Sequence, residues 1–141
     1  MKLPHSITLF NRYDDASIGR VYYLATIIDG VLFRLVKGEG KAQQGEINRN
    51  SAKLFIPITA DAEGKIYVNP SEFAAGEPEE NENRYTYAPD DFFVKGKHPE
   101  FKGAFVKTAD VEEECETFRI TAAEFLDFGA SDLQHWEVVG E

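Results

Sequence analysis

The sequence predicts a mainly β fold, a small β-barrel or sandwich with long polar loops and one or two short helices. Two observations carry that prediction. Short runs of β-branched and aromatic residues recur between turn signals, and such side chains suit a pleated, half-buried surface. Stretches that read as helix are few and short. A barrel would remove exposed strand edges by closing on itself, and the pattern fits a barrel and a sandwich equally. With 141 residues, 43% of them hydrophobic and 13% aromatic, the chain fits one β-rich domain spanning residues 1–141. A domain of that size buries roughly two-thirds of its unfolded surface.

The elements follow in order. Ile7-Thr8-Leu9-Phe10 is a first apolar run, closed by Asn11-Arg12-Tyr13-Asp14-Asp15 and a turn near Gly19. Arg20 to Ile28 and Val31 to Val36 flank Asp29-Gly30. Asp-Gly between two such runs predicts a tight hairpin, because a type I′ turn needs positive φ at both central residues. The competing reading is one strand continuing through a bulge at Gly30. Residues 38–50 are polar and glycine-rich and read as a loop or a hairpin tip. Ala52 to Ile58 is a strand, with Pro57 marking an edge or a terminus. Lys65 to Val68 is a short strand, and Asn69-Pro70-Ser71-Glu72-Phe73 opens a helical turn. Residues 76–83, the most polar stretch, read as a solvated loop. Arg84 to Tyr87 and Phe92 to Val94 are brief strands, residues 97–104 are irregular, and Phe105-Val106 adds a short strand. Thr108 to Glu116 reads as an acidic helix capped by Thr108 or Asp110. Thr117 to Phe125 and Leu133 to Val139 complete the strands.

Charge narrows the function classes. The formal net charge is −10 and the pI about 4.8. A surface that grips a phosphate backbone needs excess Lys and Arg, so specific nucleic-acid binding is not expected. The single cysteine, Cys115, precludes an intrachain disulfide. The first residues lack the apolar core of a signal peptide, and no apolar run reaches the roughly 20 residues that span a bilayer. The expectation is a soluble protein that is not exported by a cleaved signal and has no membrane partner.

The residues that carry chemistry form no catalytic pattern. His5, His98 and His135 have no second His or Cys at metal-ligand spacing. Cys115 lies among Glu112, Glu113, Glu114 and Glu116, and neighbouring anions disfavour a thiolate. Asp14-Asp15, Asp90-Asp91 and the Glu run lack the spacing of a calcium loop. Adjacent strand residues face opposite ways, so Asp90 and Asp91 read as turn and surface residues. Gly38-Glu39-Gly40 begins a dinucleotide fingerprint that fails at Gln43. The expectation is no enzyme, no catalytic residue, no metal and no cofactor.

Several segments, taken in order, resemble a family of small proteins from the head-to-tail gene cluster of tailed phages and prophages, the head-tail joining, head-closure or minor capsid proteins. Thr8-Leu9-Phe10-Asn11-Arg12-Tyr13-Asp14-Asp15 resembles the family's opening. Tyr22-Tyr23 with Ile28-Asp29-Gly30-Val31 resembles its next strands, and Ala52-Lys53-Leu54-Phe55-Ile56-Pro57-Ile58 an internal strand. Gln134-His135-Trp136-Glu137-Val138-Val139-Gly140 resembles its ending. Asp91-Phe92-Phe93-Val94-Lys95-Gly96 is similar to a strand of head-closure β-barrels. Residues 77–83 and 97–104 depart from the pattern.

The resemblance implies a structural protein of the virion neck, made in the bacterial host cytoplasm and working in the virion. It implies an oligomeric ring around a DNA channel, with connector proteins on the portal side and tail proteins beyond. The protein could be monomeric in isolation, and DNA would pass an acidic wall without being held. A ring needs two different contact patches, and Phe10, Tyr13 and Trp136 are candidate exposed anchors, with core packing the competing reading for each and the favoured one for Trp136. Two alternatives remain open: a tail terminator or other minor capsid protein, and a small-molecule or carbohydrate-binding β-domain.

Overall fold

A computed structural model describes residues 2–15, 19–36, 50–102, 107–130 and 133–141. The strands are β1 (His5–Asp15), β2 (Arg20–Val36), β3 (Ser51–Pro57), β4 (Ile66–Tyr67), β5 (Arg84–Tyr85), β6 (Phe92–Lys95), β7 (Phe118–Leu126) and β8 (His135–Gly140). Three short helices accompany them, α1 (Pro70–Ala75), α2 (Pro78–Asn81) and α3 (Thr108–Glu112), with a 3-10 turn over Pro99–Phe101. Antiparallel pairing runs β1-β2-β3-β8-β7-β6 and returns from β6 to β1, a closed barrel. Strands β4 and β5 form a separate parallel pair. The fold is therefore mainly β, and the open choice between barrel and sandwich falls to the barrel.

Period-two alternation fills the interior. Ile7 and Leu9 of β1, Leu54 and Ile56 of β3, Phe93 of β6, Phe118 and Ile120 of β7 and Val138 of β8 share one buried cluster. On β2 the parity changes along the strand: Thr26 and Ile28 are buried before Gly30, Val31 and Phe33 after it. The change comes from a bulge. Asp29 pairs with Ser6 and Val31 with His5, which leaves Gly30 as the extra residue, at φ +87°.

The expected hairpin at Asp29-Gly30 is thus overturned, and the bulge reading holds. The halves of β2 do not pair with each other: β1 pairs with Arg20 to Asp29 and, past the bulge, with Val31, and β3 pairs with Leu32 to Val36. Asp29 is also tied down from outside: its N–H and C=O bond Asp61 at 2.8 and 2.9 Å, and Lys2 Nζ reaches its carboxylate at 2.6 Å.

A second apolar cluster covers the outside of β1, β2 and β6. Phe10, Tyr23, Ala25, Phe92 and Val94 pack there against Phe101 of the 3-10 turn and Val111 of α3. Phe10 stacks on Phe92 at 4.6 Å between centroids. With both faces covered, β6 reads Phe-Phe-Val without alternation. At the closing strand, a Cβ on Gly140 would lie 2.6 Å from Phe93 Cε1 and 2.8 Å from Phe118 Cβ. That approach requires glycine.

The helices refine the local readings. Asn69 caps α1 by accepting from the Glu72 N–H at 2.8 Å. The stretch expected to be solvated loop contains α2, and Asn81 at its end is fully buried. Asn81 Nδ2 donates to the Phe73 carbonyl at 2.9 Å, which ties α2 to α1. The cap of α3 is Lys107, not Thr108 or Asp110, and its N–H faces the Asp110 carboxylate at 3.4 Å. Pro57 is the last residue of β3, a terminus. The predicted strand Phe105-Val106 and nearly all of the loop at 38–50 lie outside the described residues.

Candidate functional site

One end of the barrel carries an aromatic groove. β3 ends there at Pro57, β8 begins at His135, and the β4–β5 pair adds its tyrosines. Tyr67 sits 4.7 Å from Trp136 and 5.5 Å from Tyr87, and Tyr87 lies 5.2 Å from Trp136, all between ring centroids. Phe125 of β7 adds a further ring 5.2 Å from Trp136. With Ile58, Lys65 and Tyr85 these residues line a groove of about 490 Å³. Its rim and surroundings expose large apolar side chains: Ile58 at 46%, Phe125 at 39%, Leu133 at 62% and Phe128 at 71%. Such a patch is a common mark of an interaction surface.

The groove is polar underneath. Tyr87 is buried at 4% exposure, and its hydroxyl, beside that of Tyr85, makes no hydrogen bond of ordinary geometry among the described residues. Burial pushes the phenols of Tyr67, Tyr85 and Tyr87 above their ordinary value, most strongly for Tyr87. Lys65 donates to the Ala25 carbonyl at 3.1 Å and to Thr26 Oγ1 at 2.9 Å. Burial pulls its pKa down. The arrangement offers ring faces and hydroxyls to a partner that brings apolar or aromatic surface.

The three candidate anchors separate. Trp136 is half-buried within this groove and packs against the core, in keeping with the favoured packing role. Tyr13 is half-buried, 5.2 Å from Tyr22 across the β1–β2 ladder. Phe10 is corrected: it is wholly buried beneath the 3-10 turn and α3 and cannot act as an exposed anchor. No pattern in the sequence distinguishes it, because its burial comes from a segment some 90 residues away.

The structure brings His98, Glu100 and Cys115 together, which the sequence did not show. His98 Nδ1 lies 2.9 Å from Glu100 Oε1, and Nε2 lies 3.0 Å from the Lys95 carbonyl. Cys115 Sγ is 3.9 Å from both ring nitrogens. The sulfur contacts are long, and burial with Glu114 and Glu100 pushes the thiol pKa up. That is the reverse of an activated nucleophile.

Asp91 is the functional-looking residue that sequence reasoning placed wrongly. It is 2% exposed, not a surface residue. Its carboxylate accepts from Asn11 Nδ2 at 2.8 Å and from the N–H groups of Arg12 and Ala88 at 2.8 and 3.0 Å. Burial raises its pKa to about 6 against the pull of those donors. It clamps the segment before β6 onto β1. Asp90 is exposed, at φ +78°, with Arg119 at 4.0 Å. His5 sits in β1, where its Nδ1 accepts from the Phe33 N–H at 2.9 Å, and His135 stacks on Phe55 at 3.7 Å. Among the described residues no group of three or more His, Cys, Asp or Glu is placed to hold a metal ion. None of the helices is long and apolar enough to cross a membrane among those residues.

Residues 3–141 match the family described as "Family of unknown function (DUF6751)", and the chain belongs to that family. No curated protein and no solved structure matches it significantly.

Proposed function

We propose that this protein is a non-enzymatic structural component of the neck of a tailed phage or prophage particle, a head-tail joining or head-closure protein that works by binding other protein chains. The observation that carries the reading is the aromatic groove with its exposed apolar surroundings at Ile58, Phe125, Phe128 and Leu133. The ordered segments from Thr8 to Gly140 supply the particular assembly. The net charge of −10 suits a channel wall along which DNA slides without being held.

The test is co-purification of the tagged protein with portal, connector and tail proteins encoded beside it. The expected result is a stable complex that Phe128→Ser with Leu133→Ser weakens, while far-UV circular dichroism stays unchanged. No affinity for any of those proteins would overturn the reading. The groove's ring faces favour one second reading, a carbohydrate-binding β-domain, since sugar rings stack on Tyr and Trp faces. Retention on a glycan array, abolished by Trp136→Ala, would support that reading over the first.

A further inference from the structure

Among the described residues, the outer wall built by β2, β3, β8 and β7 is an uncovered sheet face. β3 and β8 stand across the barrel from β6 and β1, the strands that α3 and the 3-10 turn cover. Inward residues on this wall are Phe33, Leu54, Val138 and Ala123. Their neighbours Arg34, Lys53, Glu137 and Glu124 therefore face out, and all four are exposed.

The register places like charges opposite one another twice. Arg34 is the direct partner of Lys53 across β2 and β3. Glu124 is the direct partner of Glu137 across β7 and β8. Directly opposed side chains have Cβ atoms about 4.5–5.5 Å apart, and like charges there are destabilising. Among the described residues Arg34, Lys53 and Glu124 have no ion-pair partner, while Glu137 meets His135 Nε2 at 3.3 Å. Phe55 and Val139, half-buried, stand opposite Glu137 and Lys53 between the two charged pairs, and with Leu32, 41% exposed and opposite Phe55, they line a shallow depression of about 290 Å³.

We propose that this wall is a self-complementary face through which two copies of the chain pair about a two-fold axis. The two charged pairs are offset by two residues along the strands, and a two-fold in the plane of the contact, inclined to the strands by that offset, brings the cationic side of one wall over the anionic side of the other. Each like-charged pair then meets two opposite charges, and the apolar middle of each wall packs on the other. A partner of a single charge sign would relieve one pair and aggravate the other, so a second copy fits better than a uniformly charged protein or nucleic acid. The inference is independent of the virion reading.

The test is sedimentation equilibrium from micromolar to near-millimolar concentration. Wild type is expected to dimerise, more weakly as salt rises. Arg34→Glu with Lys53→Glu makes the charged groups of the wall uniformly acidic, and Glu124→Lys with Glu137→Lys makes them uniformly basic. Each double variant alone is expected to raise the dimer dissociation constant on the order of 100-fold. An equimolar mixture of the two is expected to restore a dimer of wild-type strength. Far-UV circular dichroism checks that both variants fold. A wild-type monomer throughout, or a dimer indifferent to both reversals, would overturn the inference, and neither result bears on binding to portal or tail proteins.

Discussion

At Asp91 a buried carboxylate is held by three N–H donors and, among the described residues, forms no ion pair. Burial outweighs the donors and lifts its pKa from the ordinary 3.8 to about 6. The folded protein therefore binds this proton more tightly than the unfolded chain does. The resulting stabilisation is full below the unfolded value and is lost as pH rises through the folded one. A shift of about 2 units corresponds to about 3 kcal/mol. Asp91→Asn removes the titration, so between pH 4 and pH 7 the stability of wild type relative to the variant should fall by about 2 kcal/mol, the rest of the shift being lost below pH 4. Urea unfolding of both proteins across that range measures it, and a constant gap would refute the assignment. The sequence showed Asp90-Asp91 as a turn pair. It carried no sign that Asn11, 80 residues away, receives one of the two.

Among the elements, β2 shows how a strand stays whole across a turn signal. Asp29-Gly30 is chemically suited to a hairpin, but β1 pairs up to it and with Val31 past it, and β3 takes up Leu32 to Val36. Gly30 then serves as the bulge residue, at φ +87°, and switches which side chains face the barrel interior. Gly30→Val puts a β-branched residue into a left-handed conformation and should destabilise by about 2–3 kcal/mol. Gly30→Asn should lose about 1 kcal/mol, because Asn tolerates that region. Thermal unfolding ranks the two variants, and equal losses would argue against positive φ as the cause. The strand segments themselves were legible in the sequence because alternation and β-rich composition are local properties. The short α2 was not, because its polar residues hide one buried anchor, Asn81.

At the scale of the molecule, β8 closes the barrel by pairing with β3 and β7 together. It also brings Trp136 into the aromatic groove. Ending the chain after Gln134 removes both ladders and Val138 from the core, and opens two strand edges at once. The truncated chain is expected to lose cooperative unfolding and to associate through its open edges. Amide hydrogen exchange and light scattering would read this, and retained two-state unfolding would show that β8 is dispensable.

The sequence by itself determined the class of this protein. Its mainly β character, most of its strands and the helical turn opened at Asn69-Pro70 follow from local propensity and alternation, which act over a few residues. Only the tertiary structure decided the closed barrel, the bulge at Gly30, the burial of Phe10 and Asp91, and the gathering of Tyr67, Tyr87, Phe125 and Trp136 into one groove. It also decided the two like-charged pairs of the outer wall. Each of these depends on which strand lies beside which, and that choice is made by long-range pairing and packing, which no short window of sequence contains.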